Sequence, residues 1–275
     1  MTDTWDDLLE KFIGEPQVEA GLKNSGFYNC QITFKKFVKN HAFAPQMSTP
    51  FYLSIDFWSG QSKILKENNL YLLRTGKGKF CIIDERKFPK PYLDLQINNT
   101  VLLEPKHDPN FAELEHAFDT KQENAGLERL NAFGIYDSLV EKLLGCQKWK
   151  LGPRGAKSSK FSVYAKTRSA QVEHIFEYDG AEELDYCIWT KDHILIFEAK
   201  SPQTHPGLDV GWHKIAFTAS RFAEFKGHKI IPVYLLEYPR VSYLFVFPKF
   251  GFYKDGIIIN DQDLMSPQTT FQVRF

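Results

Sequence analysis

The sequence predicts an α/β (α+β) fold, a central mixed sheet flanked by helices with a β-rich region in front of it. Three observations carry this expectation. Residues 27–104 read mostly as short apolar runs separated by turn-forming residues, residues 111–145 change to a helical period, and from there strand-like runs alternate with helical ones. At 275 residues and 43% hydrophobic, the chain is long enough to bury a sizeable core. The change in character near residue 110 divides it into a β-rich region, 1–110, suited to target recognition or dimerisation, and a second domain, 111–275.

In chain order, Thr4 to Phe12 reads as a helix that ends near Gly14 and Pro16. The runs "QITF", "FYLSIDFW", "NLYLLRT", "KFCIIDE" and "TVLLE" read as strands. Gly76-Lys77-Gly78 is a hairpin tip between two of them and lacks the spacing of a P-loop. "TFKKFVKNHAF" interleaves lysine and phenylalanine, as a nucleic-acid surface does or as a core-facing segment does. "FAELEHAF" and "AGLERLNAFGIYDSLVEKLLG" are helical, and in the second Ala132, Ile135, Tyr136, Leu139, Val140 and Leu143 share a stripe with Glu128. A basic loop, "GPRGAKSSK", leads to strands near 161–167 and 171–178 and then to the two runs of "ELDYCIWTKDHILIFEAK". Asp209 is placed to cap a helix reaching about Lys226, with Trp212, Ile215, Ala216, Ala219, Phe222 and Ala223 on one face and Lys214 and Arg221 on another. Strands "KIIPVYLLE", "SYLFVFP" and "GIIIN" close the chain.

Composition narrows the function classes. The four cysteines have no C-x-x-C spacing, so a zinc or redox site of that type is not expected. The first residues are acidic and amphipathic, unlike a secretory signal, and no apolar run approaches a bilayer's thickness, so a cytoplasmic protein without membrane contact is expected. Net charge is zero, yet 23–90, 142–176 and 200–254 are basic while 104–141 and 177–198 are acidic. Basic faces around an acidic centre suit an enzyme that cleaves phosphodiesters: cations hold the backbone and carboxylates hold a metal. Ordinary clustering of solvated charge is the other reading.

The segment 183–200 is the most informative. If Lys191 and Asp192 form a two-residue turn, Thr190 faces His193 and Asp185 faces Glu198, with Lys200 on the same face of the sheet. Directly opposed residues have Cβ atoms about 5 Å apart, so two carboxylates and an ammonium become neighbours. Like charges so placed repel, and a divalent cation would offset that cost. A structural salt bridge from Lys200 is the alternative, and a three-residue turn would shift the register. Glu104-Pro105-Lys106 downstream of Asp94 is a similar pattern, but Pro105 cannot donate to a ladder and an Asn98-Asn99 turn would put the acids on opposite faces.

Asp185, twelve residues, then Glu198-Ala199-Lys200 at the end of an apolar strand and ahead of a helix resembles the PD-(D/E)XK, or restriction-endonuclease-like, nuclease superfamily over about residues 125–250. Leu184 stands where the motif's name has proline. The resemblance implies a restriction-endonuclease-like core in which Asp185, Glu198 and the Ala199 carbonyl hold Mg²⁺, with Mn²⁺ able to substitute, and Lys200 orients or deprotonates the attacking water. It also implies products with 5′-phosphate and 3′-hydroxyl ends. Some members place a further carboxylate on the preceding helix, the role Glu128 would fill, with Glu173 and Glu177 competing for it. Lys157, Lys160, Arg168, Lys214 and Arg221 are candidate phosphate contacts, or a solvated face. His205 and His213 read as loop or surface residues. The expected function is a Mg²⁺-dependent endonuclease acting on double-stranded DNA, most simply as a homodimer, of the type II restriction class. A repair or junction-resolving nuclease of the same fold, or a catalytically inactive DNA-binding protein, are the alternatives.

Overall fold

The computed structural model of the chain describes residues 4–45, 47–106, 123–146, 148–200, 208–238 and 240–275. The first hundred residues are more helical than their apolar runs suggest. Helices α1 (Trp5–Ile13) and α2 (Pro16–Ser25) precede strand β1 (Phe27–Cys30), and α3 (Phe34–Asn40), α4 (Thr49–Leu53) and α5 (Lys63–Glu67) follow it. Thr4 and Asp7 form a capping box that starts α1, and Pro16 opens α2 at a position where its missing N–H costs nothing. The expected strands at "QITF" and "FYLSIDFW" are therefore corrected. Thr33 accepts the Lys36 N–H and caps α3, and Thr49–Leu53 is a short helix. In α3 the phenylalanines Phe34 and Phe37 are core and Lys35, Lys36 and Lys39 lie outside.

Strands β2 (Leu70–Gly76) and β3 (Lys79–Asp84) form the expected hairpin and pair with β1 in the order β1-β3-β2. Its tip does not project. Gly76, at φ +92°, lies so close to the neighbouring backbone that a Cβ there would sit 2.1 Å from the Asp179 carbonyl oxygen, and Lys77 pairs with the Asp179 carboxylate at 2.6 Å. Strands β4 (Tyr92–Asp94) and β5 (Val101–Leu103) leave this sheet altogether.

The predicted helix at 111–118 lies outside the described residues. The second helical run breaks in two, α6 (Glu123–Ala132) and α7 (Ile135–Leu144), because Gly134 adopts the left-handed conformation at φ 64°. Beyond it come β6 (Lys150–Leu151), the long hairpin β7 (Gly155–Lys166) and β8 (Val172–Leu184), then β9 (Tyr186–Trp189) and β10 (His193–Lys200). The chain continues through β11 (Asp209–Gly211), α8 (Trp212–Ser220), β12 (Lys229–Tyr238), β13 (Val241–Val246), β14 (Gly256–Ile258), α9 (Gln262–Met265) and β15 (Thr269–Arg274). Asp209 does not cap α8. It belongs to β11, where its carboxylate accepts the Ser59 N–H at 2.6 Å, and Gly211 occupies the cap position.

The main sheet has the order β5-β15-β13-β12-β10-β9-β6 and is mixed: β10 runs parallel to β12 through the α8 crossover and antiparallel to β9. Alternate residues of β10 face different layers. Leu195, Phe197 and Ala199 pack with Leu127, Leu130, Tyr136 and Leu139 of α6 and α7, while Ile194 and Ile196 pack with Trp212, Ile215 and Ala219 of α8. The boundary drawn near residue 110 is crossed by this architecture. Tyr71, Leu73, Ile83 and Leu93 share one core with α8 and β7–β8, β4 pairs with β11, and β5 is an edge strand of the main sheet.

Candidate functional site

The turn between β9 and β10 has two residues. The Thr190 N–H donates to the His193 carbonyl at 2.9 Å, and Trp189, Ile188, Cys187 and Tyr186 pair in order with Ile194, Leu195, Ile196 and Phe197. The ladder ends at the Tyr186–Phe197 pair, so the directly opposed Asp185–Glu198 strand pair expected from the sequence is not part of it. Asp185 itself lies at a bend between β8, which belongs to the β14-β7-β8 sheet, and β9, which belongs to the main sheet. Released from the ladder, its Oδ2 reaches across and accepts the backbone N–H of Ala199 at 2.9 Å. The Ala199 methyl is buried on the opposite face, so only its backbone meets the aspartate.

Glu198 and Lys200 extend the Ile194–Ile196 face of β10, the face covered by α8, and both are nearly buried, 7% and 8% exposed. Lys200 Nζ lies 3.1 Å from Glu198 Oε1 and 3.8 Å from Asp56 Oδ2. Lys214 Nζ, reaching in from the first turn of α8, lies 2.7 Å from Asp56 Oδ1. Burial pushes the Asp56 carboxyl up, but Lys214 and Lys200 outweigh it and hold the group below the usual carboxylate range. Asp56 comes from "SIDFW", read from sequence as a strand interior, and carries no motif signal.

A second acidic group, Glu182 on β8, was also not anticipated. It is buried, ion-paired with Arg74 of β2 and hydrogen-bonded to the Tyr178 hydroxyl. Burial raises its pKa against the opposing pull of Arg74 and Lys214, and the Glu198 charge adds to the rise. His213 is a correction to the expected surface histidine. It is buried on α8 beside Tyr92 and Phe217, and burial, with Lys214 next to it, pulls its pKa down to about 3, so the ring is neutral. His205 lies outside the described residues.

The remaining candidates scatter. Glu128 pairs with Arg154, whose guanidinium stacks over the Tyr186 ring at 3.9 Å, and no described contact joins it to Asp185 or Glu198. The stripe that placed it with Ile135 assumed one continuous helix, and the break at Gly134 changes the phase. Glu173 pairs with Lys87 at 2.9 Å, and Glu177 with His174 at 2.7 Å. Arg221 is 9% exposed and donates to the carbonyls of Gly155 at 2.7 Å and Glu182 at 3.2 Å, so it ties α8 to β7 and β8 instead of facing a phosphate. Arg168 is spent on the Arg86 and Glu85 carbonyls. Lys157 and Lys160 are exposed on β7, 3.5 Å from Glu224 and 3.4 Å from Asp179. The Asp94 pattern dissolves, because Asp94 faces Asp209 in the β4–β11 pair while β5 pairs with β15.

Near the end of β10, Asp56 and Glu198 thus pair with Lys200 and Lys214, Arg74 pairs with Glu182 of the neighbouring β8, and Asp185 holds the Ala199 N–H. Among the described residues no three His, Cys, Asp or Glu side chains converge closely enough to hold a metal ion. Asp185 and Glu198 carry hard carboxylate oxygens, the donor type that suits Mg²⁺ rather than a soft ion, and Mg²⁺ is commonly held by one or two carboxylates with water completing its shell. No described helix is long and apolar enough to cross a membrane. Compared with known proteins, the chain matches no family model, no curated protein and no solved structure.

Proposed function

We propose that this chain is a Mg²⁺-dependent DNA endonuclease with a restriction-endonuclease-like core, hydrolysing phosphodiester bonds to leave 5′-phosphate and 3′-hydroxyl ends. The observation that carries the reading is the register of the β9–β10 hairpin, which brings the Asp185 carboxylate onto the Ala199 N–H between Glu198 and Lys200. A plain salt bridge needs one carboxylate for one ammonium. Here Asp56 and Glu198 are matched by Lys200 and Lys214, and the Asp185 carboxylate, held on the Ala199 N–H, adds a third acid to two ammoniums.

Asp185 and Glu198 would hold Mg²⁺, which when bound supplies positive charge against the scissile phosphate and acidifies a water. Lys200 orients the attacking water through its ammonium and offsets negative charge as the pentavalent phosphorus forms. Water oxygen bonds to phosphorus, the P–O3′ bond breaks, and the 3′ oxygen leaves with a proton. Lys214 adds a second positive charge on the same side, so the phosphate enters where burial makes each charge count most. A homodimer acting on double-stranded DNA in the manner of a type II restriction enzyme is the simplest assembly for cutting both strands.

The test is incubation of the protein with long duplex DNA in Mg²⁺ and in chelator, followed by mapping of the ends. Discrete Mg²⁺-dependent fragments with 5′-phosphates are expected, and they should be lost in Asp185→Ala and Lys200→Ala. Branch-selective or indiscriminate cutting would redirect the assignment to a junction-resolving or repair nuclease. Cleavage that persists in both variants would overturn it.

A further inference from the structure

Beside the candidate site lies a cavity of about 500 Å³ whose lining includes Trp5, Phe51, Tyr52 and Phe57 together with Asp56 and Lys214. We propose that this cavity takes one unpaired nucleobase of the DNA strand being cut, so that the candidate nuclease engages an extruded or single-stranded nucleotide next to the scissile phosphate. The inference rests on the nuclease reading and deepens it to a substrate feature.

Three observations support it. The volume lies within the ~300–1,000 Å³ range of small-ligand sites, which suits a base with its sugar and not a duplex segment. The walls are aromatic. The Phe51 and Tyr52 rings meet edge to face at 5.3 Å, and Trp5 lies 5.1 Å from Tyr52. Phe51 is 58% exposed, so it contributes little to the core, yet it lines the cavity, where a base could stack on it. The charged part of the lining is shared with the candidate site: Asp56 and Lys214 pair with each other at 2.7 Å, and Asp56 also lies 3.8 Å from Lys200. A carboxylate and an ammonium in the same lining as these aromatic rings could meet the donor and acceptor edge of a base, with Lys200 3.8 Å from Asp56 near the attached phosphate. Enzymes that engage a single base in this way draw it out of the stack, and an already unpaired base is the cheapest to seat.

The test uses the whole chain carrying Asp185→Ala, a change meant to block cutting. Affinity is measured by fluorescence anisotropy for duplexes with one unpaired nucleotide beside the bond that the wild type cleaves, or at the duplex centre if it cleaves none, and for the same duplexes with an abasic residue there. The intact base should bind about 5- to 150-fold tighter, the range that one base–aromatic stack supplies. Adding Phe51→Ala should remove the preference and Phe51→Trp should keep it, and near-ultraviolet circular dichroism of each variant checks the fold. Equal affinity for both duplexes, with the wild type still cleaving, would overturn the base pocket and leave the nuclease reading intact. A base preference that depends on Phe51 in a protein that never cleaves would uphold the pocket and sink the nuclease reading. Loss of both would sink both.

Discussion

Lys200 sits 3.1 Å from Glu198 and 3.8 Å from Asp56, and its near-burial makes both contacts stronger than they would be in water. Lys200→Ala is expected to slow Mg²⁺-dependent cleavage about 10²- to 10⁴-fold, the range of a positioned acid–base group, with DNA affinity changed only a few-fold. Single-turnover kinetics and anisotropy separate the two. Asp56→Asn leaves Lys200 and Lys214 without their shared carboxylate and is expected to cost about 1–3 kcal/mol in urea unfolding. His213 gives a pH signature. Burial lowers its folded pKa to about 3 from an ordinary 6.5, so the unfolded chain takes up a proton first as pH falls. The stability present above pH 6.5 is therefore lost as pH falls toward 3, at about 1.4 kcal/mol per pH unit. Glu182, raised above 4.5 by burial, acts in the opposite sense as pH rises from there, so the contrast must be made against His213→Gln. Between pH 7 and pH 5 the wild type should lose more unfolding free energy than His213→Gln, and equal losses would refute this account. The Glu198–Lys200 contact and the approach of Asp185 to the Ala199 backbone were legible in the sequence because alternation and a tight turn bring these segments together locally. Asp56, Glu182 and Arg74 were not, because their partners lie far off in the chain.

At the scale of elements, the β9–β10 hairpin was fully readable: two apolar runs separated by Lys191-Asp192 admit a register that keeps both apolar faces buried. The N-terminal runs were not. "FYLSIDFW" and "QITF" have strand-like composition, yet short helices form there; at Thr33 local capping outweighed β propensity, and Thr49 is the first residue of the other helix. The single helix expected over 125–145 failed at one backbone position, Gly134, where the left-handed conformation starts a new helix. Gly76 shows how closely elements are fitted. Its positive φ and the Asp179 carbonyl leave no room for a methyl group, so Gly76→Ala is expected to destabilise by about 2 kcal/mol or more, read from the denaturation midpoint.

Across the whole molecule, the first hundred residues are a wall of the candidate site and part of its core. Asp56 and Arg74 reach into the charge cluster, and Tyr71, Leu73, Ile83 and Leu93 pack against the layer that carries Trp212 and Ile215. A chain beginning at residue 107 would expose that layer and lose β5 from the sheet edge, so it is expected to show no cooperative thermal transition by circular dichroism. A sharp transition in that fragment would mean the two regions fold independently. By itself the sequence determined the α/β class, most of the strands from residue 150 onward and the two-residue turn that brings Asp185 to the Ala199 backbone beside Glu198 and Lys200, because each follows from period and turn geometry within a few residues. Only the tertiary structure decided that Lys214 turns into the site, that Arg221 and Arg168 are spent on backbone carbonyls, and that Asp56 and Glu182 join the cluster. Those outcomes depend on which surfaces are buried together, and contacts between residues 39 to 158 positions apart leave no periodic trace in the chain.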